Sequence, residues 1–270
     1  MANLGVIAQN FDVYDGDGLD PFARTGSISL AHLYKAGAQG VIVGHSEVGD
    51  EPQVVNKKLR SIIKIEREWG KRIFERVVVL VGENWGEFKG NTAEEVAGLV
   101  VEKCGQVFHE IPREFLSKVF LGYEPKWGSR GSGKDDAPAP NPEQISLCAK
   151  EMLRFVGEMC GENTIPHFIY GGRSTPERTL EILKDENVNG LILGSACNTV
   201  KKTLDIANSM DKVCKREKIL VCNFKAYDLR DSYKEYVSEL GRLPDDFEVL
   251  LAPAYTNIKR VREEVGLKVC

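Results

Sequence analysis

Eight short runs rich in Val, Ile and Leu recur along this chain, and each stops at a glycine or a polar residue. In order they are Leu4–Ala8, Gly40–Val43, Val77–Val81, Val119–Gly122, His167–Tyr170, Gly190–Leu193, Ile219–Cys222 and Phe247–Ala252. Each is too short for a helix and almost continuously apolar, which marks strands covered on both faces, as in a parallel sheet. The segments between them have helical periodicity. Two carry clear start signals: Asn141, Pro142 and Glu143, and again Thr175, Pro176 and Glu177, supply an N-cap, a proline at the first helical position and an acid in the first turn. Strict alternation of this kind over 270 residues predicts a closed (β/α)8 barrel, a single domain spanning 1–270, in preference to an open doubly wound sheet. No GxGxxG follows any run, so a dinucleotide fold has little support. The only extended stretch of loop composition is Gly128 to Asn141, and a loop that long inside a compact domain is usually functional.

Charge and cysteine content narrow the function classes. The 40 acidic and 36 basic residues are interspersed and give a net charge of −4, which favours neither nucleic acid nor an anionic membrane. Seven cysteines are scattered singly, with no CxxC pair and no His cluster at metal-ligand spacing; they read as small core or surface residues of a reducing compartment, and no metal site is expected. No stretch approaches 18 consecutive apolar residues, and the N-terminus lacks a basic segment followed by an apolar run, so a cytoplasmic location is expected.

In such a barrel the active site is built where strands end at their C-terminal side. Three ends stand out: Gly44-His45-Ser46-Glu47, Gly122-Tyr123-Glu124-Pro125 and Cys222-Asn223-Phe224-Lys225. A carboxylate, an imidazole and an ammonium could supply a base, an electrophile and a counter-charge around one substrate, which fits proton abstraction beside a carbonyl. Taken singly, each has an ordinary structural reading as a satisfied polar residue, a loop residue or a surface lysine. Two glycine-bearing strand ends, Tyr170-Gly171-Gly172 and Leu193-Gly194-Ser195, add backbone N–H groups of the kind that bind phosphate, the second at a point expected to open a helix.

The stretches VIVGHSE (41–47), LGYEPKW (121–127), IYGG (169–172), LILGSA (191–196) and VCNFK (221–225), with weaker AQN (8–10), TGSIS (25–29) and VGE (81–83), together resemble the motif set of the triosephosphate isomerase family. The likeness spans essentially the whole chain. Its order differs: the strand bearing Asn223 and Lys225 opens the family's barrel but comes seventh here, so the resemblance implies a circularly permuted TIM barrel, family strands three to eight followed by one and two. The segment Asp211 to Lys218, charged and helix-compatible, joins the two parts. The resemblance further implies interconversion of dihydroxyacetone phosphate and glyceraldehyde 3-phosphate, with Glu124 as base, His45 as neutral electrophile, Lys225 near Asn223 as electrostatic anchor, and Glu47 holding that lysine. It implies a phosphate cradle of Gly171, Gly172, Gly194 and Ser195, joined by Gly131, Ser132 and Gly133. The same resemblance gives a lid from Pro125 to Lys134, Lys126 included, with Pro125 and Trp127 as its near hinge, no cofactor, and a homodimer in which Thr25 completes the neighbour's site.

The chain departs from the family pattern in three places. The lid is about one residue longer, reading WGSRGSGK, and Arg173 stands where a phosphate-binding serine is usual. The arginines that follow GHSE in the family, and the acid that follows Thr-Gly, are replaced by Val48, Gly49 and Ser27, so both sides of a subunit ion pair change together. An arginine at 173 can bind phosphate bidentately or reshape the pocket. The residues therefore leave two alternatives open: an isomerase of a larger phosphorylated sugar, and a sugar-phosphate binder without turnover.

Overall fold

The computed structural model describes residues 1–13, 25–128, 137–160, 166–227 and 232–266, excluding the Cys160 side chain. Eight strands alternate with helices along it: β1 (Asn3–Ala8), α1 (Leu30–Lys35), β2 (Gly40–Val43), α2 (Pro52–Trp69), β3 (Arg76–Val81), α3 (Trp85–Phe88), α4 (Ala93–Val107), α5 (Arg113–Leu116) and β4 (Val119–Tyr123). They continue with α6 (Pro142–Cys160), β5 (His167–Gly171), α7 (Pro176–Ile182), β6 (Gly190–Leu193), α8 (Val200–Val213), β7 (Lys218–Asn223), α9 (Tyr233–Leu240), β8 (Phe247–Ala252) and α10 (Ile258–Gly266). All neighbouring strands pair in parallel, in sequence order, and β1 closes the ring on β8 through Asn3↔Glu248 to Val6↔Leu251. The expected closed (β/α)8 barrel is the fold.

Five of the eight strands run one residue beyond an end of their apolar run, or beyond both: Asn3, Arg76, Tyr123, Gly171, and both Lys218 and Asn223. Ladder pairing explains this, because Arg76↔Gly40, Lys218↔Phe247 and Asn223↔Ala252 are backbone partners whatever their side chains. The helix starts form as expected. Asn141 Oδ1 accepts the Gln144 N–H at 2.7 Å ahead of α6, and the Thr175 hydroxyl accepts from Arg178 N ahead of α7. The joining segment differs from expectation: only Asp211 to Val213 are helical, Cys214 turns to extended backbone, and Lys218 already belongs to β7.

The pleat sorts the strand residues into two cores. Ile7, Ile42, Val78, Leu80, Phe120, Ile169, Ile192, Ile219, Val221 and Leu250 point inward and fill the barrel, while Val77, Val79 and Val81 face the helices. Burial of each large aliphatic side chain stabilises by roughly 1.5–3 kcal/mol, so the packed interior fixes the strand ends rigidly at the upper mouth. Among the described residues, no helix is long and apolar enough to cross a membrane.

Candidate active site

His45 follows Gly44, whose φ of 78° suits glycine, and a side chain at 44 would collide with the Leu80 carbonyl. That turn sends the imidazole into the mouth of the barrel, where His45 is 7% exposed. The Glu47 N–H donates to Nδ1 at 3.2 Å. A nitrogen that accepts a hydrogen bond carries no proton, so this contact suits the tautomer with its hydrogen on Nε2. Nε2 lies 3.4 Å from Glu124 Oε1.

Glu124 continues β4 and is 5% exposed. Its amide donates to the Val81 carbonyl at 2.9 Å, and its Oε2 accepts the Ser46 N–H at 2.9 Å. Gly171 on β5 lies directly behind it: an added Cβ would stand 3.0 Å from Glu124 Cγ and 3.1 Å from its Cβ. The expected cradle residue Gly171 thus backs the carboxylate and does not line the cavity, unlike Gly172.

Lys225 arrives from β7 in a left-handed conformation, φ 49°, which costs a non-glycine residue on the order of 1 kcal/mol or more. Two neighbours hold it there. Its N–H donates to Asn223 Oδ1 at 3.1 Å, and its carbonyl accepts Gln9 Nε2 at 2.9 Å while the same amide also reaches Ala252 O. The ammonium pairs with Glu47, and an extra methyl on Gly194 would come within 2.9 Å of Lys225 Cε. Three strand ends far apart in sequence therefore converge on one mouth, with Glu47 linking the imidazole's loop to the ammonium.

These side chains open into a cavity of about 280 Å³, floored by Gly172, Gly194 and Ser195 and walled by Arg173 to Pro176. Ser195 opens a three-residue 3-10 turn, Ser195–Cys197, so the helix expected there starts only at Val200. Arg173 lines the cavity and donates Nη1 to the Ala137 carbonyl at 2.6 Å, while Arg178 donates to the Pro140 carbonyl at 2.7 Å. Of the lid, Pro125, Lys126 and Trp127 are in place, whereas Gly131, Ser132, Gly133 and Lys134 lie outside the described residues. Trp127 is buried against Phe88, their ring centroids 4.2 Å apart, and its indole N–H donates to Glu83 Oε1 at 2.9 Å. The Tyr123 hydroxyl donates to the same oxygen at 3.1 Å, and the Lys126 N–H donates to the Glu83 carbonyl. Glu83 is 0% exposed, and burial pushes its carboxyl above the usual range despite these donors.

Gln9 and Glu83 were missed as site-building residues, although Gln9 directly follows β1, Glu83 stands two residues after β3, and each lies in a weak motif. Lys202, Asp205 and Ile206, which form the outer wall from α8, left no signal at a strand end. Among the described residues the cysteines supply no nucleophile here: Cys104, Cys148, Cys197, Cys214 and Cys222 are buried, and burial raises the Cys148 thiol to about 12.

Comparison with known proteins agrees with this geometry. The sequence profile of the triosephosphate isomerase family matches residues 1–210. The chain is similar to the triosephosphate isomerase of Treponema denticola, 31% identical over 189 residues that cover 68% of this chain and 70% of that one. That of Leptospira biflexa is 32% identical over 181 residues, covering 64% and 67%, and that of Mycoplasma mobile is 29% identical over 210 residues, covering 76% and 75%.

Proposed function

Because this chain belongs to the triosephosphate isomerase family, we propose that it interconverts dihydroxyacetone phosphate and D-glyceraldehyde 3-phosphate, with Glu124 as base, His45 as electrophile and Lys225 as counter-charge. The observation that carries these roles is the placement of the imidazole, its Nδ1 accepting the Glu47 N–H and its Nε2 standing 3.4 Å from the Glu124 carboxylate. That division of labour is the one already known for triosephosphate isomerases.

Glu124 takes a proton from the carbon beside the carbonyl, and the electron pair moves onto the carbonyl oxygen to give an enediolate. The Nε2–H of His45 and the ammonium of Lys225 meet that developing charge, which a preorganised site stabilises far better than water. His45 passes a proton between the two oxygens, and Glu124 returns its proton to the neighbouring carbon. Asn223 and Glu47 keep Lys225 in place for this step. No cofactor takes part, since the proton is removed and replaced within one site. The phosphate rests against Gly172, Gly194 and Ser195 with Arg173 beside it while Gly171 backs the carboxylate, and the segment Pro125 to Lys134, including Gly131, Ser132 and Gly133, closes over the intermediate before water can divert it.

The same reading gives a permuted order in which β7 and β8 are the family's first two strands. Supporting it, the family match stops at residue 210, ahead of both. It also gives a cytoplasmic homodimer, with Thr25 reaching the neighbour's site and the subunit contact rebuilt around Val48, Gly49 and Ser27. A dehydrogenase-coupled assay run in both directions tests the activity; purified folded protein that interconverts neither triose would remove the proposal. A tetrulose phosphate turned over faster than the trioses would assign the site to a larger sugar, with Arg173 reshaping the pocket.

A further inference from the structure

The cavity holding His45, Glu124 and Lys225 does not end at Gly172 and Gly194. It continues outward between the Arg173–Pro176 loop and the start of α8, where Lys202, Asp205 and Ile206 form its far wall. The placement of Lys202 follows from how α8 begins. Thr199 caps the helix through a hydrogen bond from the Lys202 N–H, and the apolar face of Val200, Ile206 and Ala207 seats the helix on the barrel. Position 202 is thereby left at the cavity's rim.

The charges along this cavity are unequally committed. The Lys225 ammonium is paired with Glu47, and the Arg173 guanidinium donates to the Ala137 carbonyl. Lys202 is not held in this way. Among the described residues its ammonium makes one hydrogen bond, to Asn198 Oδ1 at 3.5 Å, the outer limit for such contacts, and forms no ion pair, although Asp205 stands one helical turn on. A phosphate dianion lying on the bare backbone of Gly172, Gly194 and Ser195 would bring two negative charges to a mouth whose inner cation is already neutralised by its partner. An ammonium at the rim, bound to nothing stronger than an amide oxygen, suits that need and gives up little to meet it.

Resting on the isomerase reading, we propose that Lys202 is a substrate-binding residue that grips the phosphate from the α8 side, opposite the main-chain cradle, and so favours doubly charged phosphate esters. The family motifs do not reach it. It acts on binding, and its contribution is screened by salt because the side chain is exposed.

The test uses the full chain with Lys202→Met, which keeps the aliphatic arm and removes the charge, and Lys202→Arg, which restores it. KM for the triose phosphates should rise on the order of tenfold in Lys202→Met, with kcat changing much less, and inhibition by inorganic phosphate should weaken by a similar factor. Lys202→Arg should recover most of both, and the gap between parent and Lys202→Met should shrink as salt is added. A Lys202→Met protein whose KM and phosphate inhibition stay within about twofold of the parent would overturn the proposal. Should the parent isomerise neither triose, the isomerase reading falls by itself. Calorimetric titration of inorganic phosphate into parent and Lys202→Met still decides the role of Lys202: markedly weaker binding by the variant upholds it, and equal binding overturns it.

Discussion

At Glu124 the reaction depends on reach. The carboxylate is set by the Ser46 amide on one side and by Gly171 behind it, so shortening its arm by one methylene withdraws the base from the substrate without disturbing the cradle. We expect Glu124→Asp to lower kcat by about 100-fold or more while KM moves only a few-fold, because misplacement of a reacting group by about 1 Å costs roughly that much. Steady-state kinetics on both trioses checks this, and equal changes in kcat and KM would argue against its role as base. Gln9 supplies a second residue-scale test. Its side chain bridges the carbonyls of Lys225 and Ala252, so Gln9→Leu removes that bridge and leaves the backbone of the left-handed Lys225 to the Asn223 side chain. The expected outcome is a drop in kcat/KM of about tenfold with far-ultraviolet dichroism unchanged, the size of effect expected for one lost hydrogen bond of about 1.4 kcal/mol.

Elements carry these residues, and their ends were the hardest part to read. The eight strands were legible because burial on both faces leaves continuous apolar runs, whereas Arg76, Lys218 and Asn223 extend strands through backbone pairing that side-chain character does not report. His45, Glu124 and Lys225 were legible from the strand-end rule, and so in principle were Gln9 and Glu83. Lys202 was not, because it belongs to a helix that borders the mouth only after folding. The buried Glu83 carboxyl beside Trp127 makes a prediction about pH. Burial raises the carboxyl of Glu83 in the folded chain, so between its ordinary value of 4.5 and that raised value the folded state binds more protons than the unfolded one. Stability contributed at this site therefore falls as pH rises through that window. Relative to Glu83→Gln, which has no proton to lose, the parent should lose unfolding free energy as pH increases above 4.5, read from urea denaturation at a series of pH values. A difference that stays constant with pH would contradict the assignment.

For the whole molecule, closure of the ring makes the starting point of the chain unimportant to the site. β1 and β8 pair through four residues, and α10 packs against β1, so the last and first units of the chain are neighbours. A chain rearranged to begin near Lys215, with Cys270 joined to Met1 by a short flexible linker, should fold to the same barrel and keep activity within about tenfold of the parent. Loss of folding in that chain would show that the observed order contributes more than connectivity. What the sequence alone could not specify is how the cavity ends, since Arg173 and Lys202 line it from elements about 30 residues apart and only the packed barrel brings them to the same cavity.

The account turns on proton removal by Glu124 to give an enediolate, and isomerisation carried out in deuterium oxide measures that step directly. While the enediolate exists, the proton held by the carboxylate exchanges with solvent, so the product should carry deuterium at the carbon that was reprotonated, seen by proton NMR. Glu124→Gln should produce neither isomerisation nor exchange. Isomerisation or solvent exchange that persists in Glu124→Gln would contradict the claim that this carboxylate is the base.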